Sequence, residues 1–226
     1  MAQGNIPLAR DGYPLIGGCI AAAVAAGLLA CVTGGWLSSA FQILTLLAIV
    51  GTAFFLNFFR DPERHAPQGE GLVISPADGE IIIAEPDVDE PRFLKSRAAK
   101  ISIFMSPMNV HVNRAPVDGE VTGVHYNAGK YFAAWAEKAS LDNEQNAIVM
   151  RSDEGRSIVF VQIAGFLARR IVCRVGAGTR CSRGERVGMI KLGSRVDVYV
   201  PGNVELRVKL GDRVTVDDPR LQRLRR

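Results

Sequence analysis

The sequence predicts a mainly β protein, a barrel or sandwich with few short helices, behind an N-terminal two-helix membrane hairpin. Three observations predict it. No charged residue occurs from Gly12 to Phe59, a stretch long enough for two spans of a hydrocarbon core. Beyond Pro62 the chain breaks into short β-branched runs separated by Gly, Pro and Asp, the pattern of short strands joined by turns. Finally, Ser75-Pro76-Ala77-Asp78-Gly79-Glu80-Ile81 is echoed by Ala115-Pro116-Val117-Asp118-Gly119-Glu120-Val121. A Pro-x-Asp-Gly turn used twice marks two equivalent corners of one β structure.

The first domain is read as residues 1–60, and the second as 61–226. Pro14–Leu37 and Ala40–Phe59 form helices of about 36 and 30 Å at ~1.5 Å per residue. Gly34-Gly35-Trp36-Leu37-Ser38-Ser39 supplies the turn, with Trp36 as an interfacial anchor. A cleavable signal peptide has a shorter apolar core and no second span behind it. The hairpin puts Arg10, Arg60 and Arg64 on one side, and the positive-inside rule makes that side cytoplasmic. The expected location is the inner membrane, with the polar domain on its cytoplasmic side.

Expected strands are 72–75, 80–84, 100–105, 119–126, 147–151, 157–164, 170–175, 186–192, 196–200, 204–208 and 213–216. A short helix is expected over Ala133–Ser140. Val208-Lys209-Leu210-Gly211-Asp212-Arg213-Val214 resembles a turn of lipoyl-type barrels. No lysine motif for cofactor attachment accompanies it, so that likeness bears on architecture alone.

Net charge is +4 over 226 residues, not the composition of a nucleic-acid-binding protein. The basic excess gathers in Arg220, Arg223, Arg225 and Arg226, either a solvated terminus or a segment drawn to anionic headgroups. The four cysteines, Cys19, Cys31, Cys173 and Cys181, have no metal-ligand spacing and are read as reduced thiols. No metal and no pyridoxal phosphate are expected.

The chemistry points to Lys191-Leu192-Gly193-Ser194-Arg195, set between two strand-like stretches. Glycine permits strained backbone geometry and leaves its carbonyl open to approach. The next hydroxyl can attack that carbonyl and convert the peptide to an ester. Elimination then releases the upstream piece and leaves a residue that hydrolyses to a pyruvoyl group. A serine hydroxyl needs a base, itself oriented by a third group. The histidines are His65, His111 and His125; His111, after an apolar strand and Ser106-Pro107, is the first candidate. Asp78 and Asp118 share one local motif, so local chemistry alone does not separate them.

Leu192-Gly193-Ser194 with its flanks Gly188-Met189-Ile190 and Asp197-Val198-Tyr199-Val200-Pro201 resembles the self-cleaving phosphatidylserine decarboxylases in their short prokaryotic form. Phe58-Phe59-Arg60-Asp61-Pro62, Pro76-Ala77-Asp78-Gly79 and Phe104-Met105-Ser106-Pro107-Met108-Asn109-Val110-His111 are similar to that family's other blocks, in its order. The resemblance implies a proenzyme cut between Gly193 and Ser194 into a β chain, 1–193, and an α chain, 194–226. The two chains stay together as a heterodimer, and assembly into a homo-oligomer stays open. Ser194 is implied as nucleophile and source of the covalent pyruvoyl cofactor, His111 as base and acid, and Asp78 as the group orienting His111. The expected reaction turns phosphatidylserine into phosphatidylethanolamine and CO2, a Schiff base with the substrate amine serving as electron sink. Met108, Lys130, Asn143, Glu144 and Arg195 are the substrate-binding candidates, Arg195 as a bidentate phosphate ligand. Arg195 and Val112-Asn113-Arg114 depart from the longer members, which carry threonine and a second histidine there.

Two other readings fit parts of the sequence. A membrane-tethered, non-enzymatic barrel explains the Asp-Gly turns and the basic tail but gives Gly193-Ser194 and His111 no role. A pyruvoyl enzyme for a soluble amino acid keeps the chemistry but leaves the hairpin unexplained.

Overall fold

The computed structural model describes residues 7–129, 143–165, 170–191, 193–218 and 221–224, the last strand by its backbone. The chain divides into two compact units, 1–63 and 64–226.

In the first unit a 3-10 turn, Arg10–Gly12, leads into α1 (Tyr13–Val32), followed by α2 (Gly35–Phe58). Pro14 sits in the first turn of α1, where its missing N–H would have no helical partner anyway. Both helices are long and apolar enough to cross a membrane. Leu28, Val32, Trp36, Leu46 and Leu47 lie exposed on them, consistent with membrane association. The turn is tighter than the sequence predicted: only Thr33 and Gly34 lie between the helices. The Thr33 hydroxyl donates to the Leu29 carbonyl at 2.7 Å, and Ser38 Oγ to the Ala30 carbonyl at 2.8 Å. The second bond ties the first turn of α2 to the end of α1, so Trp36 and Leu37 are helical. Entry and exit are joined: the Ala9 N–H donates to the Phe59 carbonyl, and the Asp61 N–H to the Pro7 carbonyl. The Arg60 guanidinium donates to the Asn57 carbonyl at 2.6 Å, placing a cation at the negative end of α2.

The second unit is mainly β. Its strands are β1 (Leu72–Val73), β2 (Gly79–Glu90), β3 (Ser96–Met105), β4 (Val112–Arg114), β5 (Gly119–Asn127), β6 (Gln145–Ser152) and β7 (Ser157–Ala164). They continue with β8 (Arg170–Cys173), β9 (Arg180–Cys181), β10 (Arg186–Lys191), β11 (Ser194–Pro201), β12 (Val204–Leu206), β13 (Arg213–Val214) and β14 (Gln222–Leu224). A curled eight-stranded sheet runs β13-β2-β3-β11-β7-β6-β5-β9, beside two three-stranded sheets, β4-β10-β8 and β1-β14-β12. Val196, Val198 and Val200 of β11 face the main core with Met105, Ile148, Phe160 and Ala164. Tyr199 faces a smaller cluster on the other side, under Phe93 and Leu94 of the β2–β3 hairpin. The Glu90 carboxylate closes that hairpin tip by accepting the Phe93 and Leu94 N–H groups at 2.8 and 2.7 Å. The expected helix over 133–140 lies outside the described residues.

The repeated Pro-x-Asp-Gly motif builds two matching halves of the large sheet. Gly79 pairs with Val214 of β13 and Gly119 with Cys181 of β9. Both strands then slip register two residues later, at Ile81/Ile83 and at Val121/Gly123, the local kink of a β-bulge. A Cβ on Gly79 would lie 2.3 Å from the Phe104 carbonyl oxygen, and one on Gly119 would lie 2.2 Å from that of Arg151. Each corner therefore needs a residue without a side chain, because the neighbouring strand's backbone fills the space.

Candidate active site

Ser194 is the first residue of β11, directly opposite Met105 of β3 and Ala164 of β7. Residues directly opposite in a sheet share a face. Met105 and Ala164 belong to the main core, so the Ser194 side chain points into the barrel interior. It is completely buried, and its Oγ has no hydrogen-bond partner among the described residues. Such a group costs free energy in the folded chain, and a catalytic role is one reason for a protein to keep it. Gly193 has φ +64, a left-handed conformation that glycine adopts without Cβ strain. Leu192 lies outside the described residues.

Two chain connections converge at this point. The β3–β4 segment leaves Met105, opposite Ser194, and returns at Val112, opposite Met189 of β10. The β10–β11 segment spans the same two places and carries Gly193. His111 lies at the end of the first segment, and its carbonyl accepts the Ile190 N–H at 3.4 Å. The imidazole is completely buried. Its Nδ1 lies 3.0 Å from the Asn109 carbonyl oxygen. A carbonyl only accepts, so Nδ1 carries the proton and Nε2 is the basic nitrogen. The segment is held in turn by Asn109, whose Oδ1 accepts the Ser106 N–H at 2.9 Å and hydroxyl at 2.8 Å.

Asp78 comes to the same end of the sheet but does not hydrogen-bond to His111. Gly79 packs on the Phe104 carbonyl, and the Pro76 carbonyl accepts the Arg114 N–H at 2.9 Å. The Asp78 carboxylate itself is taken by the Arg64 guanidinium and by the Val216 N–H at 3.1 Å. Burial pushes its carboxyl above the ordinary carboxylate range, outweighing the opposite pull of Arg64 and the Val216 N–H. Asp118 has the same arrangement: its Oδ1 accepts the Arg183 N–H and its Oδ2 pairs with the Arg183 guanidinium, at 2.8 and 2.9 Å. In the uncut chain the Asn109 carbonyl holds His111 Nδ1.

Arg195 is not placed to bind a headgroup phosphate. It is completely buried on the opposite face of β11. Its Nε and Nη2 donate to the two oxygens of Asp197 at 2.5 and 3.1 Å, and Nη2 also to Ser102 Oγ at 2.8 Å. A guanidinium two residues from a buried carboxylate on one strand face forms this fork by proximity, a relation sequence reasoning had overlooked.

Among the other candidates, Met108 is 63 % exposed at the tip of the β3–β4 segment, an apolar side chain turned outward. Asn143 commits its amide to the Ala164 carbonyl at 2.7 Å, bracing the strand opposite Ser194. Glu144 is buried and accepts the Tyr126 hydroxyl at 3.0 Å. Lys130 lies outside the described residues. A chain of buried amides has no counterpart in the sequence motifs: Asn146 donates to Gln162, Gln162 to Asn113, and Asn113 to the Met105 sulfur. Amides in strands give no signal until the strands are paired.

The family model described as phosphatidylserine decarboxylase matches residues 52–219. The chain is 44 % identical to a phosphatidylserine decarboxylase proenzyme of Desulfotalea psychrophila, over 95 % of this chain and 95 % of that one. It is 46 % identical to one of Aromatoleum aromaticum over 96 % of this chain and 95 % of that one. A proenzyme of Neisseria gonorrhoeae is 46 % identical over 92 % of this chain and 75 % of its own length.

Proposed function

Since the chain belongs to the phosphatidylserine decarboxylase family, we propose that this decarboxylase cuts itself between Gly193 and Ser194 and then converts phosphatidylserine to phosphatidylethanolamine and CO2. One observation carries the reading: a buried serine hydroxyl without a partner among the described residues follows a glycine of positive φ, and the adjoining β10 strand is bonded to the His111 carbonyl. In this reading His111 Nε2 takes the Ser194 hydroxyl proton as the oxygen attacks the Gly193 carbonyl carbon. The Gly193–Ser194 C–N bond then breaks, its nitrogen gaining a proton and the acyl group passing to oxygen. Loss of the α-proton of residue 194 expels the Gly193 carboxylate and separates the two chains; water then adds to the dehydroalanine left at 194, releasing its nitrogen as ammonia and leaving the pyruvoyl ketone. Asp78, with Arg64, fixes the 76–78 corner against β4 and so the strand that follows His111.

The pyruvoyl group expected at position 194 fits its surroundings. It would stand in the place of a completely buried side chain between Met105 and Ala164, shielded from water. Once condensed with the substrate amine, such a group supplies an electron sink for the pair released as CO2 departs. His111 is the nearby proton donor for the carbon left behind. Met108 offers an apolar contact to the lipid.

The smaller chain stays bound after cleavage, because β11 lies between β3 and β7 and is hydrogen-bonded along both edges. The two apolar helices hold the enzyme in the membrane where its substrate resides, with the arginines of the hairpin ends placing the β unit on the cytoplasmic side.

Intact mass spectrometry of the wild type beside Ser194→Ala and His111→Ala tests this reading. Two chains are expected in the wild type, with a pyruvoyl-blocked terminus at position 194, and single chains in both variants. The cut enzyme is expected to release CO2 from phosphatidylserine vesicles. One uncut chain in all three folded, membrane-inserted proteins refutes the mechanism.

A further inference from the structure

We propose that Glu144 is the base that receives the substrate's amine, holding the ammonium ion and taking its proton before the nitrogen attacks. This rests on the reading that residue 194 becomes the amine-accepting group. The inference comes from a single row across the sheet. The Ala164 N–H donates to the Glu144 carbonyl at 2.9 Å, which extends the β6–β7 ladder by one position beyond the Gln145–Ile163 pair. Ala164 is in turn directly opposite Ser194, and Ser194 opposite Met105. Glu144, Ala164, Ser194 and Met105 thus form one row, and residues in one row point to one face. That face is the barrel interior.

In that row Ala164 lies between Glu144 and Ser194. Two strand spacings put Glu144 and Ser194 about 10 Å apart along the row, a gap that a glutamate side chain and a headgroup amine together can fill. Both flanking groups have capacity to spare. Glu144 is 4 % exposed. Its Oε1 accepts the Tyr126 hydroxyl at 3.0 Å, while Oε2 is buried with no hydrogen-bond partner among the described residues. No salt bridge to it occurs among the described residues either. A carboxylate buried without a cation among the described residues is costly, and an ammonium ion supplies both a charge and donors for it.

The chemistry requires such a group. A primary amine of pKa about 10 is protonated at neutral pH and has no lone pair with which to attack a carbonyl. Transfer of one proton from the ammonium nitrogen to Glu144 Oε2 yields a neutral amine and a neutral carboxylic acid, with no other reactant. A water-excluded interior favours that neutral pair over the two ions. Tyr126 of β5 is the titratable neighbour bonded to Glu144; Asn146 of β6 and Gln162 of β7, on the same face, are neutral. His111 is buried on the β3–β4 segment, which leaves Met105 of the same row.

The test uses Glu144→Gln, which keeps the side-chain shape and removes the base. Intact mass first establishes cleavage at position 194. Ethanolamine and hydroxylamine are then each trapped on the smaller chain, ethanolamine by cyanoborohydride reduction and hydroxylamine directly, and the adducts are read by mass. Hydroxylamine is already unprotonated at neutral pH and needs no base. At pH 7 the ethanolamine adduct is expected to form at least about 10-fold more slowly than in the wild type, since a positioned base contributes roughly 100-fold or more. The hydroxylamine adduct is expected to form at the wild-type rate, and the ethanolamine deficit to narrow as pH approaches 10, the amine's own range. Equal loss with both amines, loss that does not change with pH, or no loss at all overturns the proposal. If Glu144→Gln remains uncut, Glu144→Asp, which retracts the carboxylate, is read the same way and must show the same ethanolamine-selective deficit. A wild type that neither cleaves nor traps hydroxylamine overturns instead the reading of residue 194, and this proposal with it.

Discussion

Replacing Arg195 by methionine separates a structural arginine from a phosphate ligand. The substitution removes the partner that holds both oxygens of Asp197, a carboxylate only 1 % exposed. Breaking one side of a buried ion pair costs about 3–5 kcal/mol, because the other charge stays in the interior. Lys100 Nζ lies 3.9 Å from Asp197 and softens the loss toward the lower figure. For a domain of this size each kcal/mol moves Tm by roughly 2–4 °C, so the melting temperature falls by roughly 6–20 °C. The measurement is a thermal melt in detergent, on a Ser194→Ala background so that every molecule is one uncut chain. Arg195→Met combined with Asp197→Leu is expected to recover most of the loss, since a well-packed apolar pair replaces a buried ionic one at little cost. If Arg195→Met melts within about 2–4 °C of its parent, a change of about 1 kcal/mol, the fork contributes little and the reasoning fails. A ligand role would instead leave Tm in place and raise the KM for phosphatidylserine.

Two further outcomes follow from the same geometry. Gly79→Ala and Gly119→Ala should each destabilise the uncut chain by about 1–3 kcal/mol, the usual cost of forcing an extra carbon into a filled site. Similar losses are expected because the added carbon would meet a strand carbonyl at 2.3 and 2.2 Å respectively; an unchanged urea midpoint in either would contradict this. For Asp78 the folded-state carboxyl is raised by burial, so the folded protein binds the proton more tightly than the unfolded chain. The contribution of this group is then fully present below the ordinary carboxylate pKa and is lost as pH rises through the raised one. Denaturant titrations from pH 4 to 7 should show Asp78→Asn becoming steadily more stable relative to the wild type; a constant or opposite difference would count against the shift.

The sequence by itself determined the architecture and put forward the residues proposed to react. A charge-free run long enough for two spans admits one economical reading, and β-branched segments between Gly, Pro and Asp turns are strands wherever they pair. Every expected strand has a counterpart, and the echo of Pro76–Glu80 in Pro116–Glu120 became two matching corners of one sheet. Ser194 and His111 were legible because a glycine–serine junction and the few histidines narrow the chemistry before any folding is known. Strand limits were less legible. β2 runs on to Glu90 through Pro86, Asp87 and Asp89, since a register shift between Glu85 and Val88 accommodates the proline. β4, β9 and β14 are only two or three residues long, too short to show a period.

What only the tertiary structure decided is who faces whom. Arg195 follows Ser194 in the chain yet points to the opposite face of β11, because successive residues of a strand alternate sides. It therefore meets Asp197 rather than the interior. Glu144, fifty residues before Ser194, faces that interior with it through Ala164, because two antiparallel pairings fix one register after another. Asp78 and Asp118 share one local motif, Pro-x-Asp-Gly-Glu. Yet Asp78 takes its guanidinium from Arg64 and Asp118 from Arg183, a difference between local chemistry, which repeats, and long-range pairing, which does not.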